Sequence, residues 1–232
     1  MQSSKIDVRT WLIAMYFMSV AKKRVSSCQM ARQLGIRQAT AWFLGQRIRE
    51  AWNQGRFLLD GEVEMDETYI EGKEKNKHGN KNMRAGRGAV GKVPVVGLKQ
   101  REGRLYAVAS DTPSKKVLHE IIDERVCPSS TLYTDDHRGY IGANVKYHIA
   151  VKHSVGEYVK GQVSTNGVES FWALLKRGYY STYHKMSAHH LSRYVDEFAT
   201  RHNAFGQTTI EQVEATLFGL VGKTLPYKEL TI

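Results

Sequence analysis

Apolar positions follow helical spacing through the first quarter of the chain and change to strand-like runs after Asp60. Residues 6–20 are rich in apolar side chains and predict a first helix. Ser26 and Ser27 offer N-caps for a short second helix over Cys28–Leu34, which Gly35 breaks. Ile36–Asn53 predicts a longer third helix ending near Gly55. Beyond Asp60, Gly61–Tyr69, Val93–Gln100 and Arg104–Ser110 read as strands. Lys115–Arg125 reads as a helix entered through Thr112-Pro113-Ser114. Thr131–Thr134 is a short buried strand ending at Asp135, and Val145–Val151 is another. Helices then follow over Asn166–Arg177, over Ser187–Asn203 with Ser187 as cap, and over Thr209–Phe218 up to Gly219. This order predicts an α/β domain with a mixed sheet flanked by helices, behind an all-α domain.

The run from Gln29 to Ile36 has the form of a helix-turn-helix: Ala31 lets two helices approach, and Gly35 supplies the turn. The helix after it carries Arg37, Gln38 and Thr40, then Gln46, Arg47 and Arg49. These are residue types that read DNA grooves and contact phosphates. Trp11–Ala21 resembles the core of a signal peptide, but Lys22-Lys23-Arg24 follows at once and the run is too short to span a bilayer. It is read as a buried helix.

Charge strengthens the nucleic-acid reading. The formal net charge is +11 over 232 residues, which favours a polyanionic partner. Residues 1–59 hold ten Lys/Arg and two acids, or +8 of the +11. Residues 72–91 hold six Lys/Arg, one Glu and five Gly without periodicity. They read as a long basic loop able to clamp a phosphate backbone through Lys73, Lys81, Arg84 and Arg87, or as a solvated insertion. Two cysteines, Cys28 and Cys127, cannot build a disulfide framework or a four-ligand zinc site and fit a reducing cytosol. His184, His189 and His190, with His148 and His153 upstream, lack cysteines at ligand spacing and read as surface or DNA-facing residues.

Three acids carry the candidate chemistry. Asp66 sits on the first strand, Asp135 lies 69 residues later at the end of another, and Glu169 lies 34 residues after that on a helix. Converging carboxylates hold a cation, because isolated buried charge is expensive. Asn166, Glu169 and Lys176 share one helical face at offsets of three and seven. Phe171 and Trp172 flank it and would pack the helix on the sheet. Glu64 alternates onto the face of Asp66 and is a weaker candidate, while Glu67 and Asp136 read as solvent-facing. His137 stands where it could help orient substrate.

With these residues, the chain resembles the DDE transposases of the RNase H-like superfamily. Glu64-Met65-Asp66-Glu67-Thr68-Tyr69, Tyr133-Thr134-Asp135, the run from Asn166 to Arg177, and Leu191–Phe198 are similar to the ISXO2-like insertion-sequence transposases. The similarity runs from about Asp7 to Asn203. Members often begin with a Cys-rich zinc ribbon, and this chain has none. The resemblance implies an RNase H-like catalytic domain over 59–205 containing the 72–91 loop, a helix-turn-helix domain over 1–58 and a helical tail over 206–232. It implies two Mg²⁺ ions, with Mn²⁺ as a substitute. Asp66 would bridge both, Asp135 would hold one and Glu169 the other, with Asn166 competing for that third place and Lys176 neutralising a phosphate. The implied activity is cleavage at terminal inverted repeats and 3′-OH strand transfer into target DNA. A homodimer or higher assembly on double-stranded DNA, in a bacterial cytoplasm at the nucleoid and away from membranes, goes with it. A catalytically silent DNA-binding regulator and an RNase H-type nuclease are the alternatives.

Overall fold

The computed structural model describes residues 4–52, 54–70, 91–151 and 165–231. Lys73, Lys81, Arg84 and Arg87 of the expected basic loop, and His153, lie outside the described residues. The chain forms two compact units: Gly55–Lys176, and Met1–Gln54 together with Arg177–Ile232. The residues after 176 group with the N-terminal helices. Among the described residues no helix is long and apolar enough to cross a membrane.

The first unit is built on one five-stranded sheet. Its strands are β1 (Glu62–Ile70), β2 (Val93–Gln100), β3 (Leu105–Ala109), β4 (Thr131–Asp135) and β5 (Tyr147–Val151), in the order β3-β2-β1-β4-β5. The β1–β2 and β2–β3 pairs are antiparallel, and β1–β4 and β4–β5 are parallel. An antiparallel meander extended by two parallel strands is the mixed sheet of the RNase H-like fold, as expected. Helix α4 (Lys115–Arg125) carries the crossover from β3 to β4, capped by the Ser114 hydroxyl, which accepts from the Val117 amide.

Alternation along β1 separates two faces. Val63 and Met65 join Val96, Leu98, Leu118 and Ile122 in an apolar core against α4. Glu64 and Asp66 point the other way, toward helix α5 (Asn166–Gly178), whose Val168, Phe171, Trp172 and Leu175 are buried at the i, i+3, i+4, i+7 spacing.

The second unit is helical. Helix α1 (Val8–Val20) is capped by Asp7, which accepts from the Thr10 amide at 2.7 Å, and buries Trp11, Ala14, Met15 and Met18. Helices α2 (Ser27–Leu34) and α3 (Gln38–Ala51) form the expected pair. Ser26 caps α2, and Gly35 at φ +65° ends it, in a left-handed conformation that a residue with a Cβ rarely adopts. Helices α6 (Ala188–Asn203), α7 (Thr209–Leu220) and the short α8 (Tyr227–Leu230) complete the unit. Val213, Leu217 and Leu220 of α7 pack against the Trp11–Trp52 core. Gly219 does not stop α7, which continues to Leu220. Glycine is there because a Cβ would strike the Ala51 carbonyl of α3.

Two residues expected to face DNA are instead buried. Arg49 is 4% exposed and its Nε donates to Glu197 at 2.7 Å, with Tyr183 and Tyr194 against its guanidinium. Burial pulls the Arg49 pKa down, but Glu197 and the tyrosines raise it by more, so the charge is kept. Gln46 is fully buried and donates to the Tyr194 hydroxyl. Helical periodicity explains both misplacements: positions 46 and 49 fall on the side of α3 that meets α6, a partner the sequence reading assigned to another domain. Arg37 and Gln38 are exposed, Thr40 is half-buried, and Arg47 lies over the rings of Trp11 and Phe43.

Asp196 of α6 accepts from the Gln54 amide at 2.7 Å, and its pKa is pushed up to about 6, chiefly by burial. The folded state therefore takes up a proton between about pH 4 and pH 6 that the unfolded chain does not. Stability from this group falls as pH rises through that window and stays low above it. Asp196→Asn keeps an acceptor for Gln54 and removes the buried charge. Urea unfolding should show the variant more stable than wild type by about 1–2 kcal/mol at pH 7.5, the shift being discounted for solvent screening. The gap should close below about pH 4.

Candidate carboxylate site

Strand register places two of the three acids. Residues Glu62, Val63 and Glu64 pair with Thr131, Leu132 and Tyr133, an offset of 69. At the same offset Asp66 falls level with Asp135, two positions further along, so the interval in sequence is the register of the parallel pair. Side chains at one level in a parallel pair share a face. Asp135 ends β4, where its Oδ1 accepts from the His137 amide at 3.0 Å.

The third acid comes from α5, and two contacts from the sheet fix that helix. Glu64 is 3% exposed, and its Oε2 accepts from the Gly167 amide at 2.8 Å and the Val168 amide at 3.1 Å. These are amides of the first turn, which have no partner within the helix, and a carboxylate there also meets the positive end of the helix dipole. Arg101 lies 3.4 Å from the other Glu64 oxygen. One turn on, Trp172 Nε1 donates to Asp66 Oδ2 at 2.9 Å. The indole reaches that far because residue 97, paired with Asp66 across β1–β2, is glycine; a Cβ there would come within 2.5 Å of the ring.

Asp66 is half-buried, and burial raises its pKa above the ordinary carboxylate value. The Glu67 amide and the Trp172 indole pull it down, while the charges of Asp135 and Glu169 push it up. Asp66 on β1 thus feels the charges of Asp135 at the end of β4 and of Glu169 on α5. Glu169 is exposed, and its Oε1 accepts from the Thr165 hydroxyl at 3.0 Å. In this arrangement no three acidic, imidazole or thiol side chains among the described residues are grouped as a metal cluster. Hard oxygen donors with a combined charge of −3 suit Mg²⁺. Asn166 and Lys176 are exposed on α5.

Two neighbours have roles that the sequence reading did not give them. Glu64 is no spare ligand, since its carboxylate is taken by the start of α5. Its signal was an acid two residues before Asp66 on the same strand face, together with Gly167 at the helix start, where a Cβ would come within 2.7 Å of Glu64 Oε2. Glu67 is half-buried and not solvent-facing. Burial raises its pKa, and Asp135 and Asp66 add to the rise. Tyr140, fully buried in the apolar core, has its pKa raised by burial and then by Glu67. His137 uses Nδ1 to accept from the Gly139 amide, which closes a 3-10 turn over Arg138–Tyr140. Of the other histidines, His189 contacts the Glu229 carbonyl, and His190 lies against Trp42.

Glu64→Gln should weaken the cap without changing its size. Gln has one oxygen for two amides and no charge, so urea unfolding should show a loss of about 1–2 kcal/mol. Amide exchange at Gly167 and Val168 should quicken, and unchanged exchange at both would contradict the capping role.

The sequence signature of the ISXO2-like transposase domain matches residues 58–203. That span includes all three acids. An uncharacterized protein in transposable element ISH50 of Halobacterium salinarum is 27% identical over 228 residues, covering 93% of this chain and 76% of the relative. Crystal structures of the Mos1 strand transfer complex and of a pre-cleavage Mos1 transpososome align at TM-scores of 0.24, with 9% and 11% identity. They cover 97% of this chain and 82% and 83% of theirs. At that TM-score the likeness carries no argument, and the fold rests on this chain's own sheet order. With the signature covering well over half of the residues, the chain belongs to the ISXO2-like transposase domain family.

Proposed function

We propose that this chain is a DNA transposase that cuts strands at the ends of its element and joins the freed 3′-OH to target DNA. The observation that supports the reading is the transposase-family signature over residues 58–203, within which Asp66 lies on β1, Asp135 at the end of β4 and Glu169 on α5. Asp66 is the best-held of the three and would be the shared ligand. Asp135 would hold one ion and Glu169 the other, with Asn166 the competing donor. A bound Mg²⁺ pair, or Mn²⁺ in its place, would activate the attacking oxygen and relieve charge on the leaving one.

The remaining work falls to the chain. Trp172 keeps Asp66 oriented and covers it from water. Lys176, exposed on α5 two turns beyond Glu169, is a point charge for a substrate phosphate. Arg37, Gln38, Thr40 and Arg47 at the start and side of α3 would take duplex DNA at the element's ends. Pairing two ends calls for two or more copies of the chain on DNA.

The test uses labelled DNA carrying an end of the element, with Mg²⁺. Wild type should nick it and produce joined products with target DNA. Asp135→Ala, with its fold checked by circular dichroism, should lose about 100-fold or more in both steps. Equal nicking by wild type and variant would sink the site assignment. Cleavage of RNA–DNA hybrids without any joining would replace the reading with a nuclease.

A further inference from the structure

The two faces of the sheet divide the residues around Asp135. Glu64 is level with Tyr133, so Tyr133 and Asp135 point to the face of Glu64. Leu132 and Thr134 point to the other face, where Leu132 joins the apolar core against α4. His148 of β5 is level with Leu132 and shares that second face. Thr134 is fully buried there, and His148 is half-buried.

The support of β4 changes where Asp135 stands. Its pairs with β1 end at Glu64–Tyr133, whereas its pairs with β5 run on to Asp135–Val151. Past Tyr133 the strand is therefore held from the β5 side. There the Thr134 hydroxyl lies 2.7 Å from the Asp135 carbonyl oxygen and 2.9 Å from His148 Nε2. A hydroxyl has one hydrogen, and a carbonyl can only accept. The hydrogen goes to Asp135, so the hydroxyl oxygen must accept from the imidazole. That fixes His148 as the tautomer with its proton on Nε2. Burial and then the neighbouring His119 lower the His148 pKa, so the ring is neutral at pH 7.5 and Nδ1 is bare. The buried Tyr140 ring lies 6.3 Å from the His148 ring and packs it in place.

Asp135 is thus held twice. Its carbonyl accepts from Thr134, and its Oδ1 accepts from the His137 amide at 3.0 Å. The first contact ends on the peptide, so it fixes the residue without using a carboxylate oxygen. Outer partners that orient a metal-binding side chain are worth about 10–100-fold in metal affinity. We propose that His148 and Thr134 brace Asp135 from the opposite face of the sheet, holding its peptide so that the carboxylate keeps one orientation for a cation. Both are positioning residues and touch no reacting atom. Their use rests on the carboxylate reading, but the brace itself is measurable with no metal present.

The experiment uses the isotope-labelled full chain at pH 7.5 without metal. Imidazole nitrogen spectra should show the His148 signals, identified by their loss in His148→Gln, with Nε2 protonated and Nδ1 bare. Thr134→Val keeps the shape of the side chain and removes its hydroxyl. Exchange of the His137 amide should then quicken by about fivefold, as the loss of one hydrogen bond warrants. Thr134→Ser restores the hydroxyl and should return the wild-type rate. Tb³⁺ added afterwards, followed through the Trp172 indole beside Asp66, should bind Thr134→Val about tenfold more weakly than wild type or Thr134→Ser. A proton on Nδ1, or equal His137 exchange in wild type and Thr134→Val, would overturn the proposal. So would Thr134→Ser behaving like Thr134→Val, because a loss without rescue is a packing defect. Wild type that gives the expected imidazole and amide signals but binds no Tb³⁺ would count against the carboxylate reading and leave the brace standing.

Discussion

The carboxylate site depends on how strand β1 holds helix α5. Glu64 accepts two amides at the start of the helix, and Asp66 accepts the indole of Trp172 one turn later. Two carboxylates on alternate positions of one strand thereby fix both the origin and the rotation of the helix that carries Glu169. Each contact requires a glycine opposite it. A side chain at residue 167 would meet Glu64, and one at residue 97 would meet Trp172. The apolar stripe of α5 supplies burial energy, while these polar contacts choose its register on the sheet. That division fits close-packed interiors, where apolar area drives association and buried polar groups specify one arrangement.

The same economy governs the helical unit. Glu197 draws Arg49, Tyr183 and, more distantly, Arg24 into one buried network, so part of the basic charge of the N-terminal quarter is structural. The aromatic-rich segment around Leu191–Phe198, which carries part of the family resemblance, therefore serves to hold α6 to α3. The cations left facing outward, among them Lys23, Arg32 and Arg37, are those open to a polyanion.

Much of this was legible in the chain. Among the described residues, the five strands and seven of the eight α-helices follow from periodicity and caps, and their ends shift by only a few residues. The strands and helix that carry the three acids were read from the chain, and the 69-residue interval between Asp66 and Asp135 equals the offset of the β1–β4 pairs. What escaped has a common physical cause. Alternation and helical angle say which residues share a face, but not what that face meets. Arg49 and Gln46 were placed toward DNA because α6 was not expected beside α3. Glu67 was set outward because β1 was not expected to be covered on both faces. Glu64 stayed a weaker candidate ligand because only the folded helix reveals which acid receives its free amides.

The proposed binding of a hard cation by Asp66, Asp135 and Glu169 can be measured directly. Trp172, in contact with Asp66, provides a built-in reporter, because an excited indole transfers energy to a nearby lanthanide. Tb³⁺ added to the purified chain should give sensitised emission that Mg²⁺ competes away and that Asp66→Asn abolishes. Emission that persists in Asp66→Asn at wild-type strength, with the fold intact, would contradict the account.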